Sequence, residues 1–436
     1  MVDAAPFRAL RYDTAVAGDP ADTSAPAYSD LERFSYTEHR TASPYTVLEL
    51  MAPDAQGTYR TARAAFERWR RTGVLVEDPH PAYFRYEQHE LRHGIPTAQQ
   101  GILAAVALEA DGSRILPHEE VEADRATHRL ERLQAVPADV SPIFALYPNT
   151  SQALRGLLAK PAQTPPVAAF SDQAGIDHRV WRLIEEEQIR TIREALRDFP
   201  LVIADGHHRY ASALAYRDVL LAAGASPDPS SAWTRTLMYL VGVTSEPVGG
   251  PAAGVASGPE LRPLHRLVRT WRPGGPGRLA RDFVIEQVDG ALDTALEAHG
   301  GTALGLRLPG GVSLVLRPRD HASLLARLPP GHSAAWRALD AALVDYAVLP
   351  QLGAGTVEAR GDATAAAAEV EAGRAVALFL LRPADARTVL ELATKGERMP
   401  AKTTWFRPKP RAGLIMRALD PPVRLPLRAR APTVGM

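Results

Sequence analysis

Residues 200–218, PLVIADGHHRYASALAYRD, constrain the fold more than any other stretch of the chain. Leu201–Ala204 is a short, wholly apolar run behind Pro200, which reads as a buried strand. Asp205-Gly206 permits a tight turn, and apolar periodicity predicts a helix over about Tyr210–Ala223. The first amides of such a helix have no partners within it, and the helix dipole adds partial positive charge there. Gly206 frees the backbone, Arg209 offers a two-pronged donor, and His207 and His208 offer further donors. The turn therefore suits a phosphate or a carboxylate. Asp205 ends the strand beside the place where a bound phosphate or Mg²⁺ would lie, which makes it a candidate catalytic group and metal ligand. Adjacent histidines at a helix start point to different sides, so a metal site built on His207, His208 and Asp205 is the weaker reading.

The rest of the chain mixes both element types, so the class is α+β (mixed α/β). Residues 1–56 read as irregular. Tyr59, Ala62, Phe66 and Trp69 recur at helical spacing, with Gly73 placed as a stop. Strands are expected at Ala82–Tyr86 and Ile102–Leu108, joined by a polar segment ending in Gly101, then a helix over 122–135 and a strand at 141–146. A long amphipathic helix is expected over 178–198, ended by Pro200, and a strand over Leu237–Val243. Glycine and proline crowd residues 244–263, which reads as a flexible loop or junction. Beyond it come strands at Ala303–Leu308 and Val312–Leu316, a helix at 334–346, a strand at Ala375–Leu381 and a helix at 384–394. A domain boundary is placed between 245 and 246.

Two further segments carry candidate chemistry. In ILPHEEVEADRATHR (115–129), Glu119 is a candidate general base and His118 its orienting partner, followed by a helix bearing Arg125, His128 and Arg129. In KGERMPAKTTWFRPKPRAG (395–413), three lysines cluster with Thr403, Thr404 and Arg407 in a proline-stiffened stretch. Lysine is rare here: Lys160, Lys395, Lys402 and Lys409 leave arginine as every other basic residue. A compact ammonium suits a tight phosphate site, so Lys402 and Lys409 are candidate phosphate ligands. His-Arg dipeptides recur at 39, 128, 178, 208 and 265, and His265-Arg266 follows the Gly/Pro loop as a positioned ligand would.

Composition narrows the chemistry. There is no cysteine, which excludes disulfides, thiolate metal sites and thiol nucleophiles. The 50 basic and 50 acidic residues cancel, which argues against a nucleic-acid coat and leaves small molecules as the expected partners. No apolar run is long enough for a membrane span, and the N-terminus has no signal pattern, so a cytoplasmic chain is expected. The arginine- and alanine-rich balance suggests a GC-rich bacterial genome.

Seven blocks give a resemblance. PFRALRYD (6–13), SPYTVLEL (43–50), His118-Glu119 with SPIFALY (141–147), IDHRVW (176–181), IADGHHRYASALAYRD (203–218), PLHRLV (263–268) and GERMPAKTTWFRPK (396–409) look like those of the domain of unknown function 1015 family, in its order. Val121, Leu264, His128 and Ala27 depart from that pattern. The Gly-His-His-Arg turn is similar to the phosphate turn of the ParB/sulfiredoxin superfamily, some members of which are kinases of free serine. The resemblance implies a ParB/sulfiredoxin-like core elaborated with extra helices over 1–245, and a C-terminal α/β region over 246–436. It also implies a phosphoryl-transfer enzyme binding ATP or ADP with Mg²⁺ and a small hydroxy amino acid such as serine. Phosphate and nucleotide would lie on Gly206, His207, Arg209, Lys402 and Lys409, with Glu119, His118, Asp205 and His208 catalytic. Arg129, His265, Arg266 and Thr403 would bind substrate. A phosphatase of a small phosphoester, a nucleotide-responsive ParB-like module without catalysis, and a homodimer are also compatible with the sequence.

Overall fold

The computed structural model describes residues 1–27, 36–92, 94–109, 114–119, 124–148, 150–228, 230–243 and 256–423. Helices and several sheets alternate along the chain, giving the mixed α/β class expected from the sequence. The chain forms two compact units. One holds Met1–Pro117, Val121–Pro259 and Pro408–Met436, and the other holds His118–Glu120 and Glu260–Arg407. The later unit thus begins at Glu260 and ends at Arg407, within the closing motif. Among the described residues, no helix is long and apolar enough to cross a membrane.

The first unit is built on a mixed sheet. From one edge its strands run Ile115–Pro117, Leu201–Asp205, Ile143–Pro148, Arg235–Val243, Ile95–Ala107, Tyr83–Arg92, Asp177–Leu183 and Ala168–Ser171. Ala4–Ala5 and Ala256–Ser257 also pair with Ile95–Ala107. Leu201–Asp205 lies parallel to Ile115–Pro117 and antiparallel to Ile143–Pro148, with a register shift between Ile203 and Asp205. That irregularity turns the strand end just before the helix. Tyr83, Ile102, Ile143, Leu201 and Leu240 form one apolar layer with Leu154, Ile192 and Leu196 from two helices. Full burial of a side chain such as Leu196 is worth about 2 kcal/mol. The helices Asp124–Ala135 and His207–Ala222 meet through Leu133, Tyr216 and Leu220. The helix Arg60–Arg71 stops where expected, with Gly73 at φ 76°.

Three expectations are corrected. The helix predicted over 178–198 is a strand, Asp177–Leu183, followed by a helix, Glu186–Arg197. His178 and Val180 are buried while Arg179 between them is exposed, a two-residue alternation at the start of the strand. Glu185 then starts the helix, its N–H donating to Gln188 Oε1 at 3.4 Å. Secondly, the polar segment before Gly101 is itself strand: Tyr83–Arg92 and Ile95–Ala107 pair from Phe84↔Leu103 to Arg92↔Ile95. Gln88 and Gln99 are buried there because their amides donate to the carbonyls of Lys409 and Pro408, both at 2.9 Å. Thirdly, residues 1–56 and 244–263 contain short elements, including Leu10–Tyr12, Thr14–Ala17 and Glu260–Pro263. Residues 244–255 of that Gly/Pro stretch, Val121 and the last ten residues lie outside the described ones.

The second unit has its own sheet, in the order Phe283–Gln287, Ser313–Pro318, Leu304–Arg307, Ala377–Leu380, His265–Val268 and Val357–Arg360. All its described pairings are antiparallel. Leu267, Val315, Leu378 and Val370 form its core. Thr404–Arg407 pairs with Glu260–Pro263 as a separate ribbon.

Gly101 offers a direct test of the first sheet. A Cβ there would stand 2.5 Å from the Leu240 carbonyl oxygen and 2.6 Å from the Tyr239 ring. Gly101→Val is expected to lower stability by about 2–3 kcal/mol, read from the urea midpoint.

Candidate functional site

Asp205 closes its strand, and Gly206 takes φ 104° to open the helix His207–Ala222. The helix thus begins three residues earlier than the periodicity indicated, so His207 and His208 are its first residues. His207 is buried and His208 is partly exposed, as expected for neighbours on one turn. The Gly206 requirement is twofold. Its left-handed backbone disfavours a side chain, and a Cβ would come within 2.9 Å of Arg209 Nε. Arg209 folds back against the turn: Nη1 donates to Ser141 Oγ and to the Pro142 carbonyl, both at 2.6 Å, and Nη2 pairs with Asp205. Lys409 Nζ reaches the other Asp205 oxygen at 2.7 Å, and its side chain is only 7% exposed. Burial alone would raise the Asp205 pKa, but the charges of Lys409 and Arg209 hold it far below the usual carboxylate range. Asp205 is therefore an anion locked between two cations.

Lys409 stands there because the strand-poor segment 408–419 is tied to the first unit along its length. Gln88 and Gln99 hold the carbonyls of Lys409 and Pro408. Arg411 is almost fully buried; it pairs with Asp172 at 3.0 Å and donates to Ser24 Oγ and to the Ser24 carbonyl. Asp172 also accepts from the His178 ring at 3.1 Å, and His178 Nδ1 bonds to the Tyr86 hydroxyl at 2.8 Å. Burial favours the neutral forms of His178 and Asp172 alike. For Asp172 it is outweighed by hydrogen bonds from His178 and the Ile176 N–H and by Arg411, which leave the carboxyl pKa at about 2. The IDHRVW block thus helps to fasten the segment that carries Lys409.

Arg129 sits on the helix Asp124–Ala135 and lines a recess with Arg209, Ser141 and Arg132. Arg132 and Ser141 were missed by the sequence reading, although Arg132 follows Arg129 at helical spacing. The Arg125 side chain lies outside the described residues.

The second unit gathers the other candidates. Glu119 bridges to Met399, and Met399 N–H donates to the His118 carbonyl at 2.8 Å. Buried His118 bonds through Nε2 to Thr404 Oγ1 at 2.8 Å and sets its ring edge-on to Phe406. Glu119 Oε2 accepts the Lys402 backbone N–H at 3.1 Å. Lys402 holds φ 57°, a left-handed conformation that costs a lysine about 1 kcal/mol. Arg266 secures the same turn from its other side, donating to the Lys402 carbonyl at 2.9 Å while gripping Asp345 with both prongs. Thr403 Oγ1 closes onto the Pro400 carbonyl at 2.6 Å. His265 accepts the Leu381 N–H on Nδ1, and burial, then Arg266, push its pKa down to about 4. His265, Arg266 and Thr403 are thus engaged with this unit's own backbone, whereas the Glu119 carboxylate and the exposed Lys402 stand at its turn.

Mg²⁺ does not fit a resident protein site here. Both Asp205 oxygens are bonded to cations, and among the described residues no three His, Asp or Glu side chains are grouped to hold a metal.

Two outcomes follow from this geometry. Gly206→Ala is expected to cost about 1–2 kcal/mol in chemical denaturation, through backbone strain and displacement of Arg209. For Asp172, the folded pKa lies below the unfolded value of about 4. Its stabilisation of about 2 kcal/mol is present above pH 4 and lost as pH falls through 2. Asp172→Asn should therefore be less stable at neutral pH and show a flatter decline between pH 4 and 2 in urea titrations.

Several solved structures are similar to this chain at low identity. A point mutant of a free serine kinase in complex with AMP shares 13% identity over 70% of this chain and 87% of its own, with a TM-score of 0.34. A conserved hypothetical protein from Pyrococcus furiosus shares 15% over 70% and 90%, with a TM-score of 0.32. SbnI with a C-terminal truncation, from Staphylococcus aureus, shares 13% over 70% and 82%, with a TM-score of 0.34. These scores are too low to transfer the activity of those proteins. No curated protein matches the chain. Residues 4–342 match the family described as protein of unknown function (DUF1015), most of the chain including the Asp-Gly-His-His-Arg turn, and the chain belongs to that family.

Proposed function

We propose that the protein is a nucleotide-dependent phosphotransferase acting on a small hydroxy amino acid, with free serine the first acceptor to test. The observation that supports the reading is the helix opening at Gly206, where the positive end of the helix, Arg209 and Lys409 concentrate positive charge around one paired carboxylate. Phosphoryl transfer asks a protein chiefly to position its reactants and neutralise charge, and the residues of this turn are suited to that. In the reaction the acceptor oxygen forms a bond to the γ-phosphorus as the bond to the ADP oxygen breaks. The acceptor proton passes to a carboxylate, for which Glu119, with His118 as its neighbour, is our candidate. Lys402 is the proposed second source of positive charge. Any Mg²⁺ would arrive on the nucleotide phosphates, and no step is derived through it.

Incubation with ATP and serine, followed by phosphorus NMR, is expected to yield phosphoserine and ADP. Glu119→Gln should retain nucleotide binding and lose at least about 100-fold in kcat. Unchanged turnover in that variant would remove Glu119 from the chemistry. Phosphate release from phosphoserine alone would reassign the chain as a phosphatase. Stabilisation by ATP with no turnover on any amino acid would make it a nucleotide-responsive module.

A further inference from the structure

The helix Asp124–Ala135 does more in the first unit than pack. Arg129 and Arg132 are three residues apart, so they share one face of it. Together with Arg209, Ser141 and Ser212 they line a small recess that is partly open to solvent. The two carboxylates beside the arginines are already engaged. Asp139 pairs with Arg417 at 3.0 Å and accepts the Leu237 N–H at 2.9 Å. Asp205 is held by Arg209 and Lys409. Among the described residues no acid is paired with Arg129 or Arg132, and the Nη1 of Arg132 is buried without a hydrogen-bond partner.

A surplus of positive charge in a partly enclosed place is unfavourable unless something neutralises it. The strain shows in Arg129, whose pKa falls to about 10, through burial first and then the charges of Arg209 and Arg132. Guanidinium forks match the oxygens of a phosphate two at a time, and a buried donor left without a partner is an open position for one of those oxygens. The Ser141 hydroxyl, which accepts from Arg209, adds a neutral donor to the same wall.

We propose that Arg129, Arg132 and Arg209 form a phosphate site, taking inorganic phosphate or the phosphate end of a small monoester or nucleotide. The recess would bind phosphate whether or not the chain transfers one, so a failed kinase assay leaves this site standing.

The test uses the full chain, with thermal melting and calorimetric titration against sodium phosphate, phosphoserine and ATP, and sodium chloride at matched ionic strength as the control. Phosphate is expected to raise the melting midpoint above the chloride control. Arg132→Met is expected to weaken phosphate binding at least tenfold. In phosphate-free buffer it should melt no lower than the parent, because an unpaired buried charge has been removed. Absence of a phosphate shift in the parent, or equal phosphate affinity in parent and variant, would overturn the site. Should Arg132→Met fail to fold, Arg129→Gln must show the same tenfold loss, and retained affinity there also overturns it. Competition between phosphate and ATP would identify the nucleotide as the source of the phosphate. Competition with phosphoserine alone would identify a monoester, and either result supports the recess.

Discussion

The carboxylate of Asp205, held between Arg209 and Lys409, is the interaction on which the first unit's candidate chemistry depends. It joins the end of a buried strand, the first turn of the following helix and a segment more than two hundred residues later. Because two cations meet one anion, the helix opening keeps a net positive character although its acid is ionised. Removing either cation would leave a partly enclosed carboxylate short of compensation, and such groups are costly. Arg209 is further fixed by Ser141 and the Pro142 carbonyl, so the guanidinium faces the recess in a set orientation rather than sampling solvent.

Lys409 depends in turn on polar groups that look misplaced until the closing segment is considered. Gln88 and Gln99 are buried in the middle of two long strands because carbonyls of that segment need donors. Arg411, Asp172, His178 and Tyr86 continue the same fastening into the interior. The second unit uses a comparable device at a different place. The strained Lys402 backbone is clamped between the Glu119 carboxylate and the Arg266 guanidinium, and Asp345 keeps that arginine in position.

Much of this could be read along the chain. The apolar run 201–204, the glycine after it and the periodicity beyond gave the central strand, turn and helix, because each is a local preference expressed within a few residues. The helix at 60–71 was legible for the same reason. Errors came where a local pattern had two solutions. Residues 178–198 carry apolar side chains at spacings that fit a helix, but pairing of Asp177–Leu183 with Tyr83–His89 selects a strand for the first third. The polar run before Gly101 read only as a connection because the partners of its buried Gln88 and Gln99 side chains lie more than three hundred residues away.

The sequence by itself determined the family, the mixed α/β class, the absence of thiol chemistry and the anion-suited turn at Asp205–Arg209. These follow from residue types and short-range order. Only the tertiary structure decided that Lys409 neutralises Asp205, that Arg266 and Thr403 brace a turn of their own unit while His265 accepts the Leu381 N–H, and that Arg132 joins Arg129 and Arg209. Such facts depend on which distant side chains share a small volume. Burial, charge and hydrogen-bond satisfaction settle that for the folded chain as a whole, and no local window contains them.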